Sequence, residues 1–256
     1  MSSTLDELRE QRVHDCRLRP ERALRSLAEA EAFLHERGML TRTADCALPS
    51  LFAACHEEPY RQGKGGFAEW PATKYPWFAE LAARDGIQEL KVHGGKSILM
   101  PTAVAALADP VCRAELDRCS AGEGDAAELL RHLADAGPSE LEDVKLELGW
   151  SSPRMRRART PLERSGALLS QSVTLPLQGG GHLHSSLLHR WDQVFPEPAP
   201  GGGVDELIVA GVRAAVVAPE AELGQWFSWP FSSAAVGRLV AEGRLERPEP
   251  GWVAAA

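Results

Sequence analysis

The chain has 256 residues, 44% of them hydrophobic and 25% charged, and this composition excludes a long disordered protein. Its formal net charge is -8, so it does not attract a polyanion through net charge. The longest apolar run, residues 207–219, is interrupted by Arg213 and is shorter than the roughly 18 residues that a membrane span needs.

The first residues and the cysteines indicate the compartment. Residues 1–12 are polar and charged, unlike a secretory signal. The 5 cysteines are irregularly spaced and form no Cys-x-x-Cys pair, so neither a disulfide framework nor a zinc ribbon is indicated. We expect a cytoplasmic protein that makes no membrane contact and uses no metal or cofactor.

Residues 1–22 are predicted to be a polar lead-in to a first unit, residues 23–120. Its first helix begins at the capping box Ser26-x-x-Glu29 and ends at Gly38. Later elements are predicted from Gly, Pro and apolar spacing: a helix at 48–57, a loop at 61–76, a helix at 77–86, a hairpin at 87–101 turning at Gly94-Gly95, and a helix at 102–109.

The second unit, residues 121–195, has clearer boundaries. A helix at 125–137 is followed by one at 138–149 that opens with a capping box, Ser139-x-x-Glu142. A third helix, 151–166, is predicted to start with Ser152 as its N-cap and Pro153 at its first helical position. Two strands then flank three glycines within 167–187. Three helices followed by a hairpin are typical of a winged helix-turn-helix.

Residues 196–203 read as a linker, and the same order follows in a third unit, residues 204–256. Its predicted elements are helices at 205–218, 219–227 and 232–243 and a hairpin at 244–254. The predicted fold class is therefore mainly α with small β-hairpins (α+β), arranged as tandem winged helix-turn-helix units.

The segment SSPRMRRART, residues 151–160, concentrates positive charge in this acidic chain. Successive residues of a helix are 100° apart, so the three apolar side chains of this helix fall on a stripe about 60° wide, and its arginines fall outside that stripe. The apolar residues are Met155, Ala158 and Leu162. Because Pro161 removes a backbone hydrogen bond, we expect a kink or break near Thr160.

In a helix-turn-helix the third helix enters the major groove, where guanidinium groups bind phosphate and guanine. We therefore predict contacts with double-stranded DNA from this helix and from the following hairpin. The predicted DNA-binding residues are Ser151, Ser152, Arg154, Arg156, Arg157, Arg159, Arg164, Gln178, His182 and His184. The alternative is internal pairing of the arginines with the acidic residues between Glu123 and Glu147.

Four stretches resemble a known family: LPSLFAACHEEP, AEWPATKYPWF, ELEDVKLELGWSSPRMRRARTPLERSGAL, and the tail from ELIVAGVRAAVVAPEAELGQWFSWP to VGRLVAEGRLE. They resemble winged-helix proteins related to AlkZ and YcaQ, bacterial DNA glycosylases that unhook bulky or crosslinking adducts. The resemblance implies tandem winged helices around a duplex. It also implies, in the glycosylases, a Gln-x-Gln or Gln-x-Asp pair that positions the attacking water.

That pair is missing here, because no glutamine of the chain has Gln or Asp two residues later. No catalytic residue is carried over, and the missing motif favours a protein that binds without catalysis. We expect a DNA-binding protein of DNA repair or adduct recognition. The alternatives are an active glycosylase for alkylated or crosslinked bases, and a scaffold or transcriptional regulator with a protein partner.

Overall fold

A computed structural model describes residues 4–58, 70–176 and 182–256, with the backbone alone at 174–176 and 182–184. It consists of helices and three small antiparallel sheets, each of three strands, which confirms the α+β class within these residues. None of the helices in these ranges has the length and apolarity to cross a bilayer.

The first sheet and its helices occupy residues 27–101. Ser26 accepts a hydrogen bond from the Glu29 amide at 3.2 Å, and Gly38 ends the helix in the left-handed region, as predicted. Residues 61–69 of the predicted loop lie outside the described residues. The elements are α2 (Leu27–Arg37), β1 (Leu40–Thr41), α3 (Leu51–Cys55), α4 (Trp77–Ala82), β2 (Ile87–His93) and β3 (Lys96–Pro101).

The second sheet follows after three further helices. The elements are α5 (Thr102–Ala105), α6 (Asp109–Ser120), α7 (Asp125–Ala136), β4 (Ser139–Glu140), α8 (Leu141–Glu147), α9 (Ser152–Ser165), β5 (Leu168–Pro176), β6 (His182–Arg190) and α10 (Trp191–Val194). Helix α6 is absent from the prediction, since its charged sequence has only a narrow apolar side, with Cys112 and Leu116 buried.

Two local predictions in this region are wrong. Ser139 is not a helix cap. It belongs to β4, where it pairs with Leu188 of β6, and α8 begins only at Leu141. Ser151, rather than Ser152, is the N-cap of α9, since its hydroxyl accepts from the Arg154 amide at 3.4 Å. Of the kink or break expected near Thr160, the break does not occur, because α9 continues as one helix through Pro161.

The third sheet is built from α11 (Val204–Ala215), β7 (Val217–Pro219), α12 (Ser233–Ala241), β8 (Leu245–Glu246) and β9 (Trp252–Ala255). The helix predicted at 219–227 is a 3-10 helix over Glu220–Gln225. The lead-in is also more than a tail, because it contains α1 (Leu5–Asp15), with a capping box between Thr4 and Glu7. Leu5 and Leu8 of α1 pack with Val217 of β7. The mostly charged sequence of α1 does not predict this contact.

The three sheets share one topology. In each, the first strand lies beside the third, and the second forms the opposite edge, in the orders β1-β3-β2, β4-β6-β5 and β7-β9-β8. Helix, short strand, helix or 3-10 turn, helix and hairpin thus recur in the order predicted for a winged helix-turn-helix. The boundaries of the three units stay a prediction.

One apolar core joins residues of all three sheets, and the predicted linker is attached to it. The Ala199 amide donates to the buried carboxylate of Asp109 at 3.0 Å, and the Gly203 amide donates to the Leu107 carbonyl at 2.7 Å. Asp109 also accepts from Trp191 Nε1 at 2.7 Å and from Arg113 Nε at 2.8 Å. Residues 196–203 are therefore held by hydrogen bonds to Asp109 at the start of α6 and to Leu107 just before it.

Candidate nucleic-acid interface

Helix α9 separates apolar from basic side chains along its length. Met155, Ala158 and Leu162 are 2%, 3% and 1% exposed, so the predicted apolar stripe is buried. The helix packs this stripe against α7, β2 and β5. This packing fixes which side chains of α9 point outward.

The outward face of α9 carries three exposed arginines, Arg156, Arg157 and Arg164. Thr160 and Pro161 lie between them, so α9 itself places no carboxylate on this face. Glu115 of α6, which lines a recess with Arg164, is paired with Arg118. Among the described residues, none of the three arginines forms an ion pair. The stem of Arg164 lies against the β2–β3 turn, where a Cβ added to Gly95 would be 3.4 Å from its Cγ and Cδ.

Arg154 is held instead by two carboxylates of α7. Its Nη2 lies 2.9 Å from Asp125 Oδ1 and 3.2 Å from Glu128 Oε2, and its guanidinium stacks 4.4 Å from the centre of the Trp150 ring. The hydrogen bond from Arg154 lowers the pKa of Asp125. For this arginine the structure has the internal pairing that was the alternative to DNA contact.

Arg159 turns toward the interior. Its side chain is 19% exposed, and its Nε lies 3.4 Å from Oε1 of Glu163, which is itself buried. The same carboxylate oxygen accepts from Lys91 Nζ at 2.6 Å and from the Ser170 hydroxyl. The predicted arginine cluster is thus divided between an exposed group and two residues with structural partners.

The remaining predicted residues differ in what the structure describes. Ser151 and Ser152 are both exposed at the start of α9, but the Ser151 hydroxyl is engaged as the cap. The backbones of His182 and His184 pair with β5, opposite Pro176 and Thr174. The side chains of both histidines, and the whole of Gln178, lie outside the described residues.

One basic residue near α9 escapes the sequence analysis. Lys145 of α8 lines a recess of about 280 Å³ together with Arg156 and Arg159. Lys145 lies in a helix whose other charges are acidic, and only the turn between α8 and α9 brings it to the arginines. The capping and charge patterns of α8 alone give no signal for this.

A comparison with solved structures finds a similar fold. The chain matches Streptomyces sahachiroi DNA glycosylase AlkZ with a TM-score of 0.55 at 13% sequence identity, over 99% of this chain and 70% of that one. No protein-family model matches the sequence, and no curated protein matches it. At this identity the similarity establishes the fold alone, and the chain therefore has the AlkZ-like fold that the sequence resemblance predicts.

Proposed function

We propose that this protein binds double-stranded DNA through the exposed face of α9, as a DNA-repair-related protein built from three winged helices. The observation that carries the proposal is the arrangement of Arg156, Arg157 and Arg164, which are exposed, form no ion pair with any residue that the structure describes, and lie on a face where α9 itself has no carboxylate. Guanidinium groups arranged in this way can bind backbone phosphates and the guanine edge bidentately.

The position of α9 in the fold supports this role. It is the helix that precedes the β5–β6 hairpin, and in a helix-turn-helix the corresponding helix lies in the major groove. The similar fold of AlkZ, a DNA glycosylase, supports nucleic acid over a protein partner.

The acidic net charge does not oppose the proposal at this face. Asp125 and Glu128 form ion pairs with Arg154, and the side chain of Glu163 is buried on the inner side of α9. Because salt screens charges separated by more than about 10 Å, the nearby arginines outweigh acidic residues elsewhere on the molecule. Glu142 and Glu115 line recesses beside Arg156 and Arg164, but each is paired with a cation of its own helix, Lys145 and Arg118. We therefore expect a positive local potential where a phosphate meets the three arginines.

The test compares two triple variants that remove the same charge. Replacing Arg156, Arg157 and Arg164 by alanine should abolish the binding of a labelled duplex at about 50 mM salt, where phosphate contacts are strong. The control replaces Arg9, Arg19 and Arg25, which lie in the first 25 residues, outside α9. It should retain most of the affinity.

Fluorescence anisotropy measured over a salt series gives a second criterion. Each lost phosphate contact should lower the slope of log K against log salt by roughly 0.9 for a duplex. Equal losses in the two triple variants would mean that only overall charge matters, and that α9 is not the interface.

We propose recognition rather than base excision, because no glutamine of the chain stands two residues before Gln or Asp. Incubation with an alkylated duplex, followed by an assay for abasic sites, separates the two functions. Abasic sites that form with the protein and not without it would replace this proposal by a glycosylase activity.

A further inference from the structure

A recess lies where α8 meets the first turns of α9, beside the exposed arginine face. It has a volume of about 280 Å³. Lys145 lines it from α8, and Ser152, Arg156 and Arg159 line it from α9. Met155, which is buried, belongs to the apolar part of its wall. An apolar wall strengthens the attraction of these cations for an anion, because it lowers the local dielectric constant.

The charges of the recess are unbalanced in favour of an anion. Lys145, Arg156 and Arg159 provide three cations, against one carboxylate, that of Glu142. Lys145 Nζ and Glu142 Oε2 are 2.6 Å apart, so this pair neutralises itself. Two guanidinium charges then remain, and only Arg159 has a further carboxylate near it, that of Glu163.

The hydrogen bonds of Arg159 are incomplete. Its Nε and Nη1 are buried and donate no hydrogen bond within the described residues. The neighbouring Glu163 is already bonded to Lys91 and Ser170. Turning the guanidinium group of Arg159 toward the recess would break no hydrogen bond made by these two nitrogens, but it would lengthen the 3.4 Å contact of Nε with Glu163. An oxyanion in the recess would replace that contact and supply acceptors for both nitrogens.

We propose that this recess binds one phosphodiester group of a nucleic-acid backbone, held between Arg156 and Arg159 with the Ser152 hydroxyl and Lys145 at its edge. The inference rests on the proposed DNA binding, and it adds a defined phosphate site to the exposed arginine face. Glu142 competes with the phosphate for Lys145, so it weakens the site.

Two substitutions at exposed positions test the site without removing a buried group. Ser152→Glu places a carboxylate at the mouth of the recess, and an acid in the first turn favours the helix, so α9 should stay folded. It should weaken duplex binding by at least about tenfold and lower the salt slope by roughly 0.9. Glu142→Gln frees Lys145 and should strengthen binding.

The variant Arg157→Ala/Arg164→Ala removes exposed arginines that do not line the recess. If this variant weakens duplex binding while Ser152→Glu and Glu142→Gln leave it unchanged, the phosphate site is wrong and the proposed DNA binding stands. Opposite shifts for Ser152→Glu and Glu142→Gln support the site.

If the unaltered protein fails to bind duplex, the proposed function fails and inorganic phosphate becomes the probe. The midpoint of thermal unfolding is then compared in phosphate and in chloride at equal ionic strength. A higher midpoint in phosphate that Ser152→Glu abolishes would retain the anion site and overturn a nucleic-acid backbone as its source. Equal midpoints would overturn the site itself.

Discussion

Residues one helical turn apart on α9 have opposite surroundings. Arg157 is exposed, whereas Arg154 is fixed between two carboxylates of α7 and the ring of Trp150. The difference arises from packing, because the N-terminal end of α9 lies against α7. The arginines of one basic segment are therefore not equally available to a ligand, because the neighbouring helix pairs some of them and leaves others exposed.

We predict that Arg154→Ala weakens duplex binding less than Arg157→Ala does. The charge of Arg154 already interacts with Asp125 and Glu128, so a phosphate would have to displace these carboxylates. Anisotropy titrations of both variants with one duplex measure the difference. Their thermal midpoints show whether either variant is unfolded, and a greater loss for a folded Arg154→Ala would contradict the pairing.

The sequence predicts the apolar stripe of α9 because Met155, Ala158 and Leu162 repeat at helical spacing within one segment. The partners of its arginines cannot be predicted in this way. Glu163 reads as one more polar residue of α9, yet folding buries it under Lys91 of a distant strand. Which charges stay free depends on tertiary contacts, and periodicity carries no information on those.

At the scale of elements, the continuous course of α9 through Pro161 needs a physical reason. A proline inside a helix leaves the carbonyl four residues earlier, here that of Arg157, without its usual amide donor. Since Arg157 lies on the exposed face, water can bond this carbonyl. The apolar stripe, which includes Leu162 just after the proline, holds both halves of the helix to the core.

Pro161→Ala should stabilise the protein by about 1–3 kcal/mol, since alanine restores the amide and removes the ring from the preceding turn. Urea unfolding measures the change. Pro153→Ala is the matched control, because Pro153 lies in the first turn of the same helix, where its lack of an amide costs little. Pro161→Ala without effect would mean that the helix tolerates the proline without strain.

Glycines at the ends of helices and in turns explain which elements can be predicted from the sequence. Gly38 and Gly166 end α2 and α9 in the left-handed region, and Gly94 and Gly95 turn the first hairpin, as their positions in the sequence indicate. Helix α1 has a start signal, the capping box Thr4-x-x-Glu7, but no glycine ends it and its mostly charged sequence resembles a tail. Its contact with β7 lies about 200 residues away in sequence.

At the scale of the whole molecule, one ion pair joins the first sheet to the candidate interface. Lys91 of β2 contacts Glu163 of α9 at 2.6 Å, and the side chains are 26% and 6% exposed. Because Lys91 belongs to β2 and Glu163 to α9, this ion pair fixes the orientation of α9 relative to the first sheet. A loss of either partner leaves the other charge without compensation in a poorly solvated place.

Glu163→Gln should destabilise the protein by about 3 kcal/mol, because Lys91 and Arg159 both lose their carboxylate. A double-mutant cycle with Lys91→Met, followed by urea unfolding, should give a coupling energy of about 0.5–3 kcal/mol. The exposed pair of Lys96 and Asp45, 2.7 Å apart, is the control and should couple by less than about 1 kcal/mol. Equal coupling energies in the two pairs would mean that the Lys91–Glu163 pair does not fix α9 to the first sheet.

The hydrogen bonds that fasten residues 196–203 to Asp109 and Leu107 have a mechanical consequence. A connector held by hydrogen bonds at two points cannot act as a flexible hinge, so residues 204–256 keep a fixed orientation relative to the rest of the protein. An elongated molecule that contacts both residues 204–256 and the rest of the chain must therefore fit a protein surface whose shape does not adjust. The bound molecule, and not the protein, then has to bend, so a flexible partner should bind more readily than a stiff one.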